Sequence, residues 1–231
     1  LSGGQRQRVS LARAMVRRPK MFIMDEPLGH LEEYLRIELR REIRALHEST
    51  GGTTFYITHD QEEAAAVSDR IAVMSDGIVQ QVGTMRDLID RPANRFVAEF
   101  VGEPPINIFE ALSVEGAALR LGNHRLPLSA AQMSALGATP PGCVGIRPAQ
   151  LAIGGPEDRG IEDRGIEASA RSVQPMGEWG AVLCDTAVGP ATAYVPATDL
   201  PTEGAAIRLL PDPEGLHFFA DDGRRIAVGK G

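Results

Sequence analysis

The segment Met21-Phe22-Ile23-Met24-Asp25-Glu26-Pro27 constrains this chain most. An apolar run without polar alternation suits a strand buried on both faces, as in a parallel sheet. The two carboxylates stop the run abruptly, and Pro27 bars its continuation. Burying unpaired charge is costly, so an acidic pair at the end of a buried strand implies work for it. The bland alternative is two loop carboxylates at a strand end.

The flanking pattern fits a strand in an α/β unit. Upstream, Ser2 can cap a helix, Gln5 completes a capping box, and Pro19 stops that helix near Arg18. Downstream, Leu31, Leu35, Leu39, Ile43 and Leu46 recur at near-helical spacing until Gly51-Gly52. Thr53 to Thr58 is β-branched and aromatic, hence a strand. Asp60 and Glu63 read as a second capping box, opening a helix to about Ser68. Ser75-Asp76-Gly77, between Ile71–Met74 and Ile78–Val82, is a hairpin signal. Short helices are expected from Thr84 to Phe100, interrupted by Pro92.

Near Glu103-Pro104-Pro105 the texture changes. Short apolar runs then alternate with Gly and Pro turns, which suggests a small all-β, barrel-like domain. The division expected is 1–103 and 104–231. A tandem copy, Glu157-Asp158-Arg159-Gly160-Ile161 followed by Glu162-Asp163-Arg164-Gly165-Ile166, reads as a loop insertion.

Composition narrows the class. Over 231 residues the net charge is −7, which argues against nucleic-acid binding. No apolar run reaches the ~20 residues of a membrane helix, so a membrane link must pass through a partner. Cys143 and Cys184 fit no metal or redox spacing; with no export signal, they point to the cytoplasm. A start at Leu1 suggests a fragment. The arginines of the first fifty residues alternate with glutamates, as solvated helix faces do.

Three constellations carry chemistry. Leu1-Ser2-Gly3-Gly4-Gln5 offers close backbone approach, a hydroxyl and a helix N-terminus, together a phosphate site or an ordinary capped helix start. Asp25 and Glu26 are placed to hold Mg²⁺ and to polarise an attacking water. His59, ending the second strand, can sense a phosphate charge or serve only structure.

In this order and spacing the residues resemble the ATP-binding-cassette (ABC) ATPase family. Leu1–Gln5, continued by Arg6-Gln7-Arg8-Val9, resembles its signature loop. Phe22-Ile23-Met24-Asp25-Glu26-Pro27 resembles the Walker B segment, and Thr58-His59-Asp60-Gln61-Glu62-Glu63-Ala64 the switch-histidine segment. Ile71-Ala72-Val73-Met74 to Gly83-Thr84, Arg91-Pro92-Ala93-Asn94, Phe96-Val97-Ala98 and Phe100-Val101-Gly102 are similar to the carbohydrate (maltose and glycerol-3-phosphate type) importer subfamily. Gly145-Ile146-Arg147-Pro148 resembles a motif of that subfamily's C-terminal regulatory domain.

The resemblance implies the C-terminal half of a P-loop-type ABC ATPase domain, truncated at the signature motif, then an oligomer-binding-like (OB-like, TOBE-type) β domain. It implies Mg²⁺ at Asp25, a catalytic base at Glu26 and a γ-phosphate contact at His59. Ser2, Gly3, Gly4 and Gln5 would contact ATP bound on a second ATPase subunit. Gly29, His30, Leu31 and Glu32 would form the D-loop at that dimer interface. Partners would be that subunit, membrane permease subunits and, indirectly, an extracytoplasmic solute-binding protein. The protein would sit peripherally on the cytoplasmic face of a bacterial membrane.

The sequence also departs from the family. No G-x-x-x-x-G-K-[ST] loop is present, so the chain alone is expected not to hydrolyse ATP. A sheet short of strands is expected to expose an unpaired edge and apolar faces. Gly29-His30-Leu31-Glu32 stands where Ser-Asn-Leu-Asp is usual, and Ala149 where an acidic residue is frequent. Two rival functions are a non-transport ABC ATPase, which the acidic β-rich tail disfavours, and a non-enzymatic regulatory or interaction module.

Overall fold

The computed structural model of the chain describes residues 9, 12, 13, 16, 20–29, 31–110, 112–137, 140–155 and 165–229. Leu1–Gln5, His30 and Glu157–Arg164 lie outside them. Val9, Ala12, Arg13 and Val16 are helical, in keeping with the helix expected there. The chain divides into two units, Leu1–Asp87 and Leu88–Gly231.

In the first unit, β1 (Met21–Asp25) pairs in parallel with β2 (Thr53–Ile57), from Met21 opposite Thr53 to Asp25 opposite Ile57. Parallel strands need a long crossover connection, usually a helix. Helix α1 (Glu33–Thr50) supplies it and packs Leu39 and Ile43 against Phe22 and Met24. Gly51 ends α1 in the left-handed region (φ 61°), its N–H donating to the His47 carbonyl. Helix α2 (Gln61–Val67) follows β2 and adds Val67 to the same cluster.

β1 is buried on one face only, contrary to its sequence reading. Phe22 and Met24 are buried, while Met21 and Ile23 are 51% and 72% exposed. On β2, Phe55 and Ile57 share that open face, at 58% and 53% exposure. An unbroken apolar run hides the alternation that every strand has. β3 (Ile71–Ser75) and β4 (Ile78–Gly83) form the expected hairpin. Its two-residue loop, Asp76-Gly77, has positive φ at both positions (50° and 76°), as a type I′ turn requires.

Helix α3 (Met85–Asp90) runs across the division, and α4 (Arg95–Phe100) belongs to the second unit. The units therefore divide ahead of the Pro104-Pro105 texture change. The reason is packing: Ala98 of α4 clusters with Ile106, Cys143 and Phe219. Composition marks the turn, but buried contacts set the boundary.

The rest is strand-rich, as expected: β5 (Asn107–Glu110), β6 (Leu112–Glu115), β7 (Ala118–Leu121), β8 (His124–Pro127), β9 (Cys143–Ile146), β10 (Leu151–Gly154), β11 (Ile166–Met176), β12 (Trp179–Thr186), β13 (Gly189–Pro196), β14 (Ala206–Pro211), β15 (Leu216–Phe219) and β16 (Arg225–Ile226). They form sheets ordered β10-β14-β11-β12-β13, β16-β15-β9-β5 and β6-β7-β8. β13 returns close to β10, so the largest sheet curls toward closure. Helix α5 (Ala130–Leu136) interrupts the strands with a full Ser129/Gln132 capping box.

Inward-facing residues of several sheets share one core, including Phe109, Ile146, Val182, Leu209 and Phe218. Asn107 ties two sheets: its amide donates to the Ile146 and Thr192 carbonyls, and its oxygen accepts from the Thr192 N–H at 2.7 Å. Both cysteines are buried free thiols, and burial pushes Cys184 up to about 11, which keeps it unreactive.

Arg147 is nearly enclosed at 7% exposure. Its guanidinium donates to the Ala98 and Val101 carbonyls at the end of α4 and to the Ile89 carbonyl of α3. A cation at helix C-termini satisfies orphan carbonyls and opposes the helix dipole. Gly102 makes room for it, because a Cβ there would lie 2.7 Å from Arg147 Nη1.

Candidate nucleotide site

Parallel pairing brings the two candidate motifs together. β1 and β2 end level, and the Glu26 N–H extends the ladder by donating to the Ile57 carbonyl at 2.9 Å. Glu26 itself is left-handed (φ 42°), a conformation few non-glycine residues adopt. The chain then turns back, with the Gly29 N–H donating to the Glu26 carbonyl at 3.3 Å. Such strain persists where the surroundings enforce it, and it clusters at functional sites.

The turn throws the Glu26 carboxylate out at the strand end, where His59 meets it. His59 Nδ1 lies 3.1 Å from Glu26 Oε1. Both side chains are open to solvent, 77% exposed for His59 and 54% for Glu26. Asp25 occupies the last position of β1, also exposed. Three polar side chains thus gather at the carboxyl ends of two parallel strands, where open α/β sheets bind ligands.

After the turn, Leu28 is fully enclosed and Leu31 is buried, with the Leu31 N–H donating to the Leu28 carbonyl. These two leucines staple the segment to the core, which leaves Gly29 and Glu32 on the surface. Glu32 caps α1 through its backbone alone, without a side-chain hydrogen bond.

The residues on either side of His59 are tightly held. The Asp60 carboxylate accepts from the Glu63 N–H at 3.0 Å, half of the expected capping box. The other half is absent, because Glu63 turns inward at 2% exposure. There it accepts from the hydroxyls of Tyr56 (2.9 Å) and Thr58 (3.0 Å). Burial, aided by the Glu63 carboxylate, pushes the Tyr56 hydroxyl pKa up and keeps it a donor. Arg36 and Arg40 of α1 pair with the second Asp60 oxygen at 3.3 and 3.6 Å. Sequence reading missed Glu63, Tyr56 and Arg40 as parts of this support. Spacing showed Glu63 as a cap, and nothing local shows where a buried carboxylate turns.

Among the described residues, no group of three or more His, Cys, Asp or Glu side chains could enclose a metal by itself. Magnesium in phosphate-transfer sites needs no such cage. It takes one or two carboxylates, with substrate phosphates and water completing the shell. Asp25, exposed and offering hard oxygen, fits that donor set.

Residues 1–29 match the ABC transporter family model, and residues 144–219 match the TOBE domain. The chain is thus similar to ABC-transporter ATP-binding proteins, with a match to a segment of their ATPase followed by one to an OB-like, all-β TOBE domain.

Its relatives serve carbohydrate and glycerol phosphate import. The chain is 38% identical, over 98% of its length, to the sn-glycerol-3-phosphate import ATP-binding protein UgpC of Paracoccus denitrificans. It is 37% identical, again over 98%, to the diacetylchitobiose uptake system ATP-binding protein MsiK of Streptomyces coelicolor. Over 59% of its length it is 50% identical to the trehalose/maltose import ATP-binding protein MalK of Thermococcus litoralis, of which that match covers 37%. The chain spans 62% of the UgpC relative and 64% of the MsiK relative. No helix among the described residues is long and apolar enough to cross a membrane.

Proposed function

We propose that this chain is part of the ATP-binding and hydrolysing subunit that powers solute import, of the sugar class, through an ABC transporter. The observation that carries this reading is the Glu26–His59 contact beside Asp25 at the ends of two parallel strands. In it, Glu26 takes the proton of the attacking water as general base. With Nδ1 engaged by Glu26, Nε2 is the ring nitrogen of His59 left to meet the γ-phosphate. Asp25 would hold Mg²⁺, which when bound neutralises charge on the phosphate oxygens.

Ser2, Gly3, Gly4 and Gln5 would present a hydroxyl and helix N-terminal N–H groups to ATP bound on a second ATPase subunit. Gly29, His30 and Glu32 would lie at that interface, while Leu31, expected there too, is buried in the core and anchors the segment instead. Membrane permease subunits would take up the closure of the pair, at the cytoplasmic face of the membrane. The TOBE domain would be regulatory.

The sequence contains no phosphate-binding loop, so the reading makes this chain one half of a shared site. A steady-state phosphate-release assay tests it. The chain alone should show no turnover above background. Turnover by the chain alone that disappears in Glu26→Gln would refute the half-site reading.

A further inference from the structure

His59 is 77% exposed, so its own packing does little to fix it. Its neighbours are fixed instead. The Thr58 hydroxyl donates to Glu63 Oε2, the Asp60 N–H donates to Thr58 Oγ1, and the Glu63 N–H donates to Asp60 Oδ1, each at 3.0 Å. These bonds close a ring that clamps the residue before His59 and the residue after it. Tyr56, two residues upstream of Thr58 on β2, adds its hydroxyl to the same Glu63 oxygen.

We propose that Glu63 is the positioning residue for His59, holding the imidazole against Glu26 through Thr58 and Asp60. An ordinary helix cap needs only the Asp60 contact; a carboxylate committed to two hydroxyls of the preceding strand segment does more. It locks the end of β2 to the start of α2 with His59 at the corner. Side chains held by supporting hydrogen bonds keep a productive geometry that exposed rotamers lose. The consequence for hydrolysis rests on the nucleotide-site reading above, but the geometry and its test need no nucleotide.

The test is NMR of the chain with ¹⁵N/¹³C-labelled histidine, following the His59 ring nitrogens and contacts from the ring to Glu26. In the wild type a hydrogen-bonded Nδ1 and ring-to-Glu26 contacts are expected. Glu63→Ala should abolish both, giving a freely rotating imidazole. Glu63→Gln should restore both, because the amide oxygen can still accept from Tyr56 and Thr58. If Glu63→Ala unfolds the first unit, Thr58→Val decides. It removes the hydroxyl link but leaves Tyr56 on Glu63, and it should free His59 while helical circular dichroism stays unchanged. Wild-type His59 signals in a folded Glu63→Ala or Thr58→Val chain would overturn the proposal, as would failure of Glu63→Gln to restore them. An unchanged ring sinks the positioning role and leaves the nucleotide reading standing. A freed ring supports positioning even if the chain never proves to act on ATP.

Discussion

The two units treat apolar surface in opposite ways. In the second, several sheets enclose one core in which Phe109, Leu209 and Phe218 are wholly buried. In the first, β1 and β2 bury Phe22 and Met24 on one face and leave Met21, Ile23, Phe55 and Ile57 largely exposed on the other. A closed sheet keeps its strands by its own burial, since each buried apolar side chain contributes about 1.5–3 kcal/mol. A sheet with one apolar face open lacks that burial on the exposed side, as expected of a sheet short of strands. The proposed site lies on the open unit: Asp25, Glu26 and His59 all sit at the ends of its two strands.

The sharpest way to break this contrast is a pair of truncations. Phe218→Ala should destabilise the second unit by about 4 kcal/mol, while Ile23→Ala should change stability by less than about 0.5 kcal/mol in denaturant titrations. Comparable costs at both positions would mean that the open face is covered in solution. Arg147→Ala should follow, at about 3 kcal/mol, because carbonyls of α3 and α4 lose a buried charged donor. Unfolding monitored at Trp179 should register that loss.

Acid should also single out the second unit. Burial, then the nearby Arg147 and Arg225 charges, lower His217 to about 4. The unfolded histidine binds its proton near pH 6.5, so between about 6.5 and 4 the unfolded state holds more protons. Stability is therefore full above pH 6.5 and falls as pH drops toward 4, by up to about 3 kcal/mol. Melts across that range should show the fall, and His217→Gln should flatten it. The smallest effect belongs to the site: Glu26→Gly should relieve the left-handed backbone and leave stability equal or raised by about 1 kcal/mol. A clear loss would show that Glu26 is there for stability.

Local features were legible in the sequence. The Asp76-Gly77 turn, the Gly51 stop and the Pro92 break follow from residue chemistry confined to a few positions. Asp25, Glu26 and His59 were legible because acids and a histidine that end apolar runs are conspicuous. What needed the structure was non-local. The burial of one face of β1 could not be seen in four consecutive apolar residues. Glu63 showed its spacing to Asp60 but not its turn toward Tyr56 and Thr58. The strand order β10-β14-β11-β12-β13 joins segments far apart in sequence, where turn signals say nothing. Arg147 was legible only as part of a motif; its role at two helix ends depends on folding that brings Ile89, Ala98 and Val101 to it.

The central claim is that Asp25, Glu26 and His59 form the hydrolytic half of a divided ATP site. The most direct measurement joins this chain to a segment carrying a G-x-x-x-x-G-K-[ST] loop and the strand that precedes it, and records ATP turnover. The account predicts turnover that falls roughly 10²–10⁴-fold in Glu26→Gln, the usual contribution of a general base, while ATP binding persists. Turnover unchanged by Glu26→Gln and His59→Ala would contradict it.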